Sequence, residues 1–591
     1  MERREVRLLT DAEVKSFVES CANATKLEEV YMSSRAFDMS RAAETAGDAG
    51  LAETYRFLAG VLRPSVESIG KIESAGNPFW VAPSTLTEAQ VLLLRQLVGV
   101  VTDPELRARF ADFIWLSARD WRLGEIAVDA YMDSARRLRH PEEWTGAAPR
   151  YERAASLASS LGRKKARYTA VIAEIEAYLA ELDGNDPLFM TIRLMGILLA
   201  QKEGDRSKYA ALAEKAARAA EERGNFYVAR FHWDLAAKWH AALQNMDGVQ
   251  RARIGAAETQ VREAESRIVG ANASYLTAAG ILQGAIAMLQ KAGGAQVRIK
   301  ELFLRLKEYE AKGVAELKPI GGRMDLSDVA EMARQDVSEK SLPDAIASLA
   351  AMVRLPRREQ VKAAVLKAAK DYPLQHLFGE SLLDADGALI AGRGSVDPDD
   401  ENGEDRAVLA RMYEDVVRTF SIAALGQIDP ARRQIVSEHD IREIDLSVIV
   451  HRSWFVPPGG EEIFARGLVA GFDGDFVVSI HLLVPQIETA IRWNLRRRGH
   501  VTTRLNRDHF QEEMDLNQLL LQDATRDLLG EDLVFAVQAL LTSRFGFNLR
   551  NKLAHGLMDV GAMYSTVSEF FWSLVLMICM RATVTRSEDE T

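Results

Sequence analysis

Arg550, Asn551 and His555 fall within six residues of one another in the stretch FGFNLRNKLAHGLMD, near the end of a 591-residue chain. Histidine is the side chain whose ordinary titration lies near neutrality, which suits it to moving a proton. A guanidinium is a permanent planar cation able to hold two oxygens of a phosphate or carboxylate. Spacing alone says little, because an arginine followed five residues later by a histidine recurs at Arg504 and His509. The context is more specific: asparagine after the arginine, Ala-His-Gly around the histidine, and Gly-x-Asn-Leu just before. A plainer alternative is that Arg550 and His555 finish a helix and pair with Glu488 or Asp559.

The flanking pattern sets the element expected to carry these groups. With Asn548 as N-cap, Leu549, Leu553, Leu557, Val560, Tyr564, Val567, Phe571, Leu574 and Ile578 step by four or three, which predicts one continuous amphipathic helix. Asn551, His555 and Asp559 then form a polar stripe on its far side, with Arg550 flanking. Gly556 and Gly561 weaken such a helix, which predicts a close approach at that turn, another backbone being one candidate. Upstream, Phe472, Phe476, Ile480, Val484, Ile487, Ile491 and Leu495 predict a long helix bent at Pro485, with Glu488 and Arg492 paired one turn apart. A second apolar helix is expected around LLGEDLVFAVQALLTSRFG. Arg492, Arg496, Arg497, Arg498, Arg504 and Arg507 concentrate positive charge in an otherwise acidic chain, either as an auxiliary RNA surface or as an ordinary solvated helix end. His481 is expected to pack against a neighbouring helix.

The residues Arg550, Asn551, three further positions and His555-Gly556 resemble the R-N-x3-H signature of the HEPN superfamily. Together, GDFVVSIHLLVPQIETAIRWNLRRRG and GFNLRNKLAHGL look like a bacterial family of unknown function with a C-terminal RNxxAHG hallmark, over roughly residues 466–585. That resemblance implies a helical bundle that dimerises and cuts RNA without metal. It implies Arg550, Asn551 and His555 as catalytic residues, with Asn551 orienting His555 or a substrate oxygen; Glu488, Arg492 and Asp559 are the auxiliaries that the helical spacing adds. Arg496, Arg497, Arg498 and Arg504 would bind RNA.

The rest of the chain reads as mainly α. Residues 1–320 are expected to form a helical-repeat-like array, with pairs at about 150–265 weakly resembling tetratricopeptide repeats but lacking a clean period of about 34 residues. Within it Phe226, Tyr227, Phe231, His232, Trp233, Trp239 and His240 are expected to fill space between helices. A middle region, 321–465, follows a break at Pro319, Gly321 and Gly322. It carries a hairpin near 380–394 turning at Asp386-Gly387, and an acidic loop at 395–406. The last unit, 466–591, is the HEPN-like bundle.

Composition narrows the classes. Hydrophobic residues at 48% and charged residues at 27% are those of a folded, water-soluble chain. A net charge of -11 argues against binding nucleic acid along the whole length. Two cysteines, Cys21 and Cys579, offer neither a disulfide framework nor a zinc cluster and fit a reducing cytoplasm. The N-terminus lacks the apolar core of a signal peptide, and WSLVLMICM is shorter than the roughly 18 residues of a membrane span. Walker, dinucleotide, HExxH and GxSxG motifs are missing in usable context, so neither cofactor nor metal is expected. The leading expectation is a metal-independent endoribonuclease, acting as a homodimer in toxin or anti-phage defence, with the array sensing a protein partner. The rival is a non-enzymatic scaffold whose bundle dimerises or binds nucleotide.

Overall fold

Short polar turns at regular intervals convert the first half of the chain into helical hairpins. Helices Arg206–Glu222, Phe226–Ala242 and Met246–Ser266 begin 20 residues apart, at 206, 226 and 246. Each is opened by an Asp or Asn side chain: Asp205 accepts from Ser207 N, Asn225 from Val228 N and Asn245 from Gly248 N. A helix pair is therefore 40 residues long, exceeding the roughly 34 of a tetratricopeptide repeat. Ala210, Ala213, Ala217 and Ala220 are fully buried along one face, so the next helix approaches closely. In this computed structural model residues 6–22, 29–69, 81–318, 322–373, 380–384, 386–396, 406–505 and 509–584 are described. The chain divides into two units, Met1–Glu316 and Leu317–Thr591, and is mainly α, with two small two-stranded sheets among the described residues.

The first unit holds a buried ionic knot. Glu105 accepts from Arg150 Nη2 at 2.9 Å, Arg109 Nε at 3.1 Å and Ser134 Oγ at 2.6 Å. Asp112 takes a two-pronged bond from Arg153, at 2.7 and 2.8 Å, and a third from Tyr131. These groups join the helices Pro104–Ala118, Trp121–Arg137 and Trp144–Gly162. The aromatic set of the array divides. His232, Trp233, Trp239 and His240 are buried as expected, whereas Tyr227 (57% exposed) and Phe231 (40% exposed) lie at the surface, edge-on to Phe189. Their positions on the Phe226–Ala242 helix turn them away from the pairing face.

The second unit closes around the helix Thr566–Val584. Phe570, Phe571, Trp572, Leu574, Val575, Leu576, Met577, Ile578 and Cys579 are all buried, so this helix is buried on every side. It is covered by Leu342–Met352, Arg406–Ala423, Glu443–His451, Glu461–Phe472 and Phe476–Arg497. Residues 321–465 thus share one core with residues 466–584. Trp572 donates to Leu468 O at 2.9 Å, and its indole lies so close to Gly471 that a Cβ there would meet it at 2.1 Å. The stretch Val560–Thr583, longer than WSLVLMICM, is by length and composition apolar enough to cross a membrane, but 72% of its apolar window is buried in this unit, as in a core helix. The hairpin pairs Glu380–Leu383 with Leu389–Arg393, whereas most of the acidic loop, 397–405, lies outside the described residues.

At the first turn of Thr566–Val584, Glu569 is buried beside Arg432, whose other nitrogens reach Asp429 and Phe472 O. Burial, reinforced by the Asp429 charge, pushes the Glu569 carboxyl up to about 7. Unfolded, it would titrate near about 4.3. The folded state therefore holds the extra proton between these values, and stability falls as pH rises through that window. Glu569→Gln should remove this dependence. Its thermal midpoint is expected to exceed that of the wild type at pH 8 and to converge on it only below about pH 4, where the unfolded carboxyl is protonated too.

Candidate functional site

The trio stands at a helix end built by two backbone devices. Upstream, the helix Glu531–Val537 widens into a π-helical turn, Gln538–Thr542, and Phe547 N donates to Ala539 O at 2.9 Å. Gly546 sits against that same carbonyl: a Cβ on it would lie 2.0 Å from Ala539 O. Asn548 follows in the left-handed region, φ 58°, which asparagine tolerates better than most residues. It precedes the short helix Leu549–Ala554 but caps no backbone N–H. Its Oδ1 instead accepts from Asn551 Nδ2 at 2.7 Å.

The expected continuous helix from Leu549 to Ile578 is absent. Gly556, at φ 65°, ends Leu549–Ala554: its N–H bonds to Leu553 O, and Leu557 N bonds back to Lys552 O at 2.8 Å. This reciprocal closure is the Schellman arrangement, which favours glycine at that position. No backbone approaches Gly556, since a Cβ there would meet nothing within 4 Å. Asp559 begins a separate turn, Val560–Met563, by accepting from Ala562 N at 2.7 Å. It is therefore a cap and not the third member of a polar stripe. Leu557 (71% exposed), Val560 (65%) and Tyr564 (50%) face outward, not into the core.

Upstream the elements also differ from the sequence pattern. Phe472 ends Glu461–Phe472; Gly474 turns at φ 78°, and Asp475 caps the separate helix Phe476–Arg497. Pro485 lies inside that helix without terminating it. His481 is exposed, its Nδ1 bonded to Val477 O of its own helix, so it does not pack against another.

Arg550, 27% exposed at its side chain, bridges two neighbours. Its Nη2 lies 3.3 Å from Glu488 Oε2, and its Nη1 donates to Asn551 Oδ1 at 3.1 Å. Glu488 also pairs with Arg492 at 2.6 Å, and Arg492 reaches Met514 O and Glu513. One carboxylate thus sits between two guanidiniums, and Glu513 brings a second carboxylate to the Arg492 side of the cluster. His555 occupies the C-cap position, exposed, its ring having no hydrogen bond or ion pair among the described residues. The plainer alternative is met in part by each: Arg550 pairs with Glu488, and His555 finishes the helix but meets neither carboxylate among the described residues.

The basic run is divided by an element that the sequence pattern did not suggest, the hairpin Thr503–Leu505 with Gln511–Glu513. It returns Glu512 and Glu513 to the arginines: Arg504 pairs with Glu512, and Arg496 with Glu513. Arg497 and Arg498 are exposed, lie over Trp493 and Trp454, and meet no carboxylate among the described residues. Arg507 lies outside the described residues. The acidic QEEMD following the basic run was the available sign of this neutralisation. Lys552, between Asn551 and His555, was missed entirely: half-buried, its Nζ stands 4.7 Å above the Phe547 ring.

No group of three or more His, Cys, Asp or Glu side chains suited to a metal occurs among the described residues. Cys21 and Cys579 are buried thiols, each pushed up to about 12 by burial. Residues 6–170 are similar to a domain of unknown function, DUF7380. That match lies wholly in the first unit and spans the Glu105 knot. No curated protein matches the chain.

Proposed function

We propose that the protein is a cytoplasmic, metal-independent endoribonuclease of HEPN type, in which Arg550, Asn551 and His555 act on RNA. The supporting observation is an exposed imidazole without a hydrogen-bond or ion-pair partner among the described residues, one helical turn from an asparagine bonded to an arginine. In the proposed reaction the ribose 2′-oxygen bonds to phosphorus and the P–O5′ bond breaks. A base removes the 2′ proton, and an acid delivers one to O5′. His555 of each protomer takes one of these roles, while Arg550 stabilises charge on the phosphoryl oxygens. The product is a cyclic phosphate.

A symmetric dimer is part of this reading. Leu557, Val560 and Tyr564 form an exposed apolar strip beginning two residues after His555, the kind of surface a second copy would cover. The aromatic patch of Phe189, Tyr227 and Phe231 is the counterpart on the array, offered to a protein partner. A toxin or anti-phage defence role follows from the superfamily resemblance.

One observation favours the scaffold reading: Arg550 already has a carboxylate partner, as a structural arginine would. Incubation with assorted RNAs in excess EDTA separates the two. Cleavage by wild type, and by neither Arg550→Ala nor His555→Ala, supports the ribonuclease. Identical behaviour of all three proteins removes it.

A further inference from the structure

We propose that Lys552 is a second phosphate-binding cation of this site, meeting the RNA backbone beside His555; the inference rests on the ribonuclease reading for its substrate class. On an α-helix, positions three apart lie about 60° from each other around the axis, and positions five apart about 140°. Lys552 therefore shares a face with His555, and Arg550 does not.

The two cations also differ in their engagements. Arg550 is divided between Glu488 and Asn551. Lys552 has no carboxylate partner among the described residues and rests on the Phe547 ring. Burial holds its ammonium below the usual lysine range, so it lacks both full hydration and a counter-charge. An anionic oxygen supplies the counter-charge and an acceptor in place of the lost water, and the contact would gain from the partly dry surroundings. A structural lysine at such a position would be expected to have a nearby acid, and Asp559, the closest in sequence, is occupied as a cap.

The test uses the full-length protein, a random-sequence single-stranded RNA pool in EDTA, and a fluorescent 2′-O-methyl version that binds without being cut. Lys552→Gln is expected to lower kcat/KM by about tenfold to a hundredfold, the range of one charge-assisted bond, and Lys552→Arg to restore most of it. With the uncuttable RNA, the slope of log affinity against log salt should fall by about 0.7 in Lys552→Gln, as for one lost phosphate contact. Wild-type cutting with Lys552→Gln unchanged in rate and slope would overturn this inference and leave the ribonuclease reading standing. A reduced slope without cutting by any protein would uphold the phosphate contact and remove the ribonuclease. Unchanged slopes with no cutting would remove both.

Discussion

His555→Ala is expected to reduce metal-free RNA cleavage by about 10²–10⁴-fold, the usual worth of a positioned acid or base. The melting temperature should hardly move. The ring is exposed and without partners among the described residues, so its removal leaves no cavity and no orphaned group, and such surface changes stay within about 0.5 kcal/mol. Arg550→Ala should lose cleavage too, at a stability cost no greater than about 1 kcal/mol, because Glu488 keeps Arg492 at 2.6 Å. Melting curves taken beside the cleavage rates separate chemistry from folding. A His555 variant that unfolds, or one that cuts at the wild-type rate, contradicts the proposed role.

Gly546→Ala should damage both folding and activity, though residue 546 carries no chemistry. A Cβ there would lie 2.0 Å from the backbone oxygen of Ala539, and also 3.0 Å from its Cα. No side chain can swing aside to relieve a clash with main chain. The loop must move, breaking the Phe547 N to Ala539 O bond that seats the site helix on the π-helical turn. Overpacking of this kind costs about 3 kcal/mol, and a shift of roughly 1 Å at the site costs about a hundredfold in rate. Gly556→Ala is the comparison. It faces open space but needs φ 65°, so it should cost only about 1–2 kcal/mol. Thermal denaturation of the two variants, with cleavage assayed well below both midpoints, checks the ordering.

Periodicity made the helical character of the chain legible, since Ala and Leu at steps of three and four require partner helices whatever the fold. It failed where local backbone chemistry overrides a hydrophobic stripe. From Leu549 to Ile578 the apolar steps are regular, yet Gly556 closes one helix and Asp559 opens the next. Both signals were visible as a glycine and a capping residue, but the unbroken stripe outweighed them. The same bias joined Phe472 to the helix that Asp475 begins. The Gly-x-Asn-Leu context does not disclose its cause in the sequence, because a π-helical turn has no simple sequence signature and the approach of Gly546 to Ala539 is tertiary.

Pairing across the fold was the least legible level. Glu488 to Arg492 follows from helical spacing, whereas Glu488 to Arg550 joins residues 62 positions apart. The Glu512 and Glu513 carboxylates reach the basic run only because an unforeseen hairpin folds them back. Nothing in the sequence marks Lys552, because its importance lies in the partner it lacks among the described residues, and only a folded chain reveals that.

The most direct measurement is the chemistry of the RNA ends made by purified full-length protein in EDTA, with a matched substrate carrying a single 2′-deoxy sugar at the cut position. Cleavage leaving a 2′,3′-cyclic phosphate, abolished by that one missing hydroxyl and by His555→Ala, is the expected result. Ends bearing a 3′-hydroxyl, cutting that ignores the deoxy sugar, or intact RNA under every condition would contradict the proposal that His555 and Arg550 are the working groups of this protein.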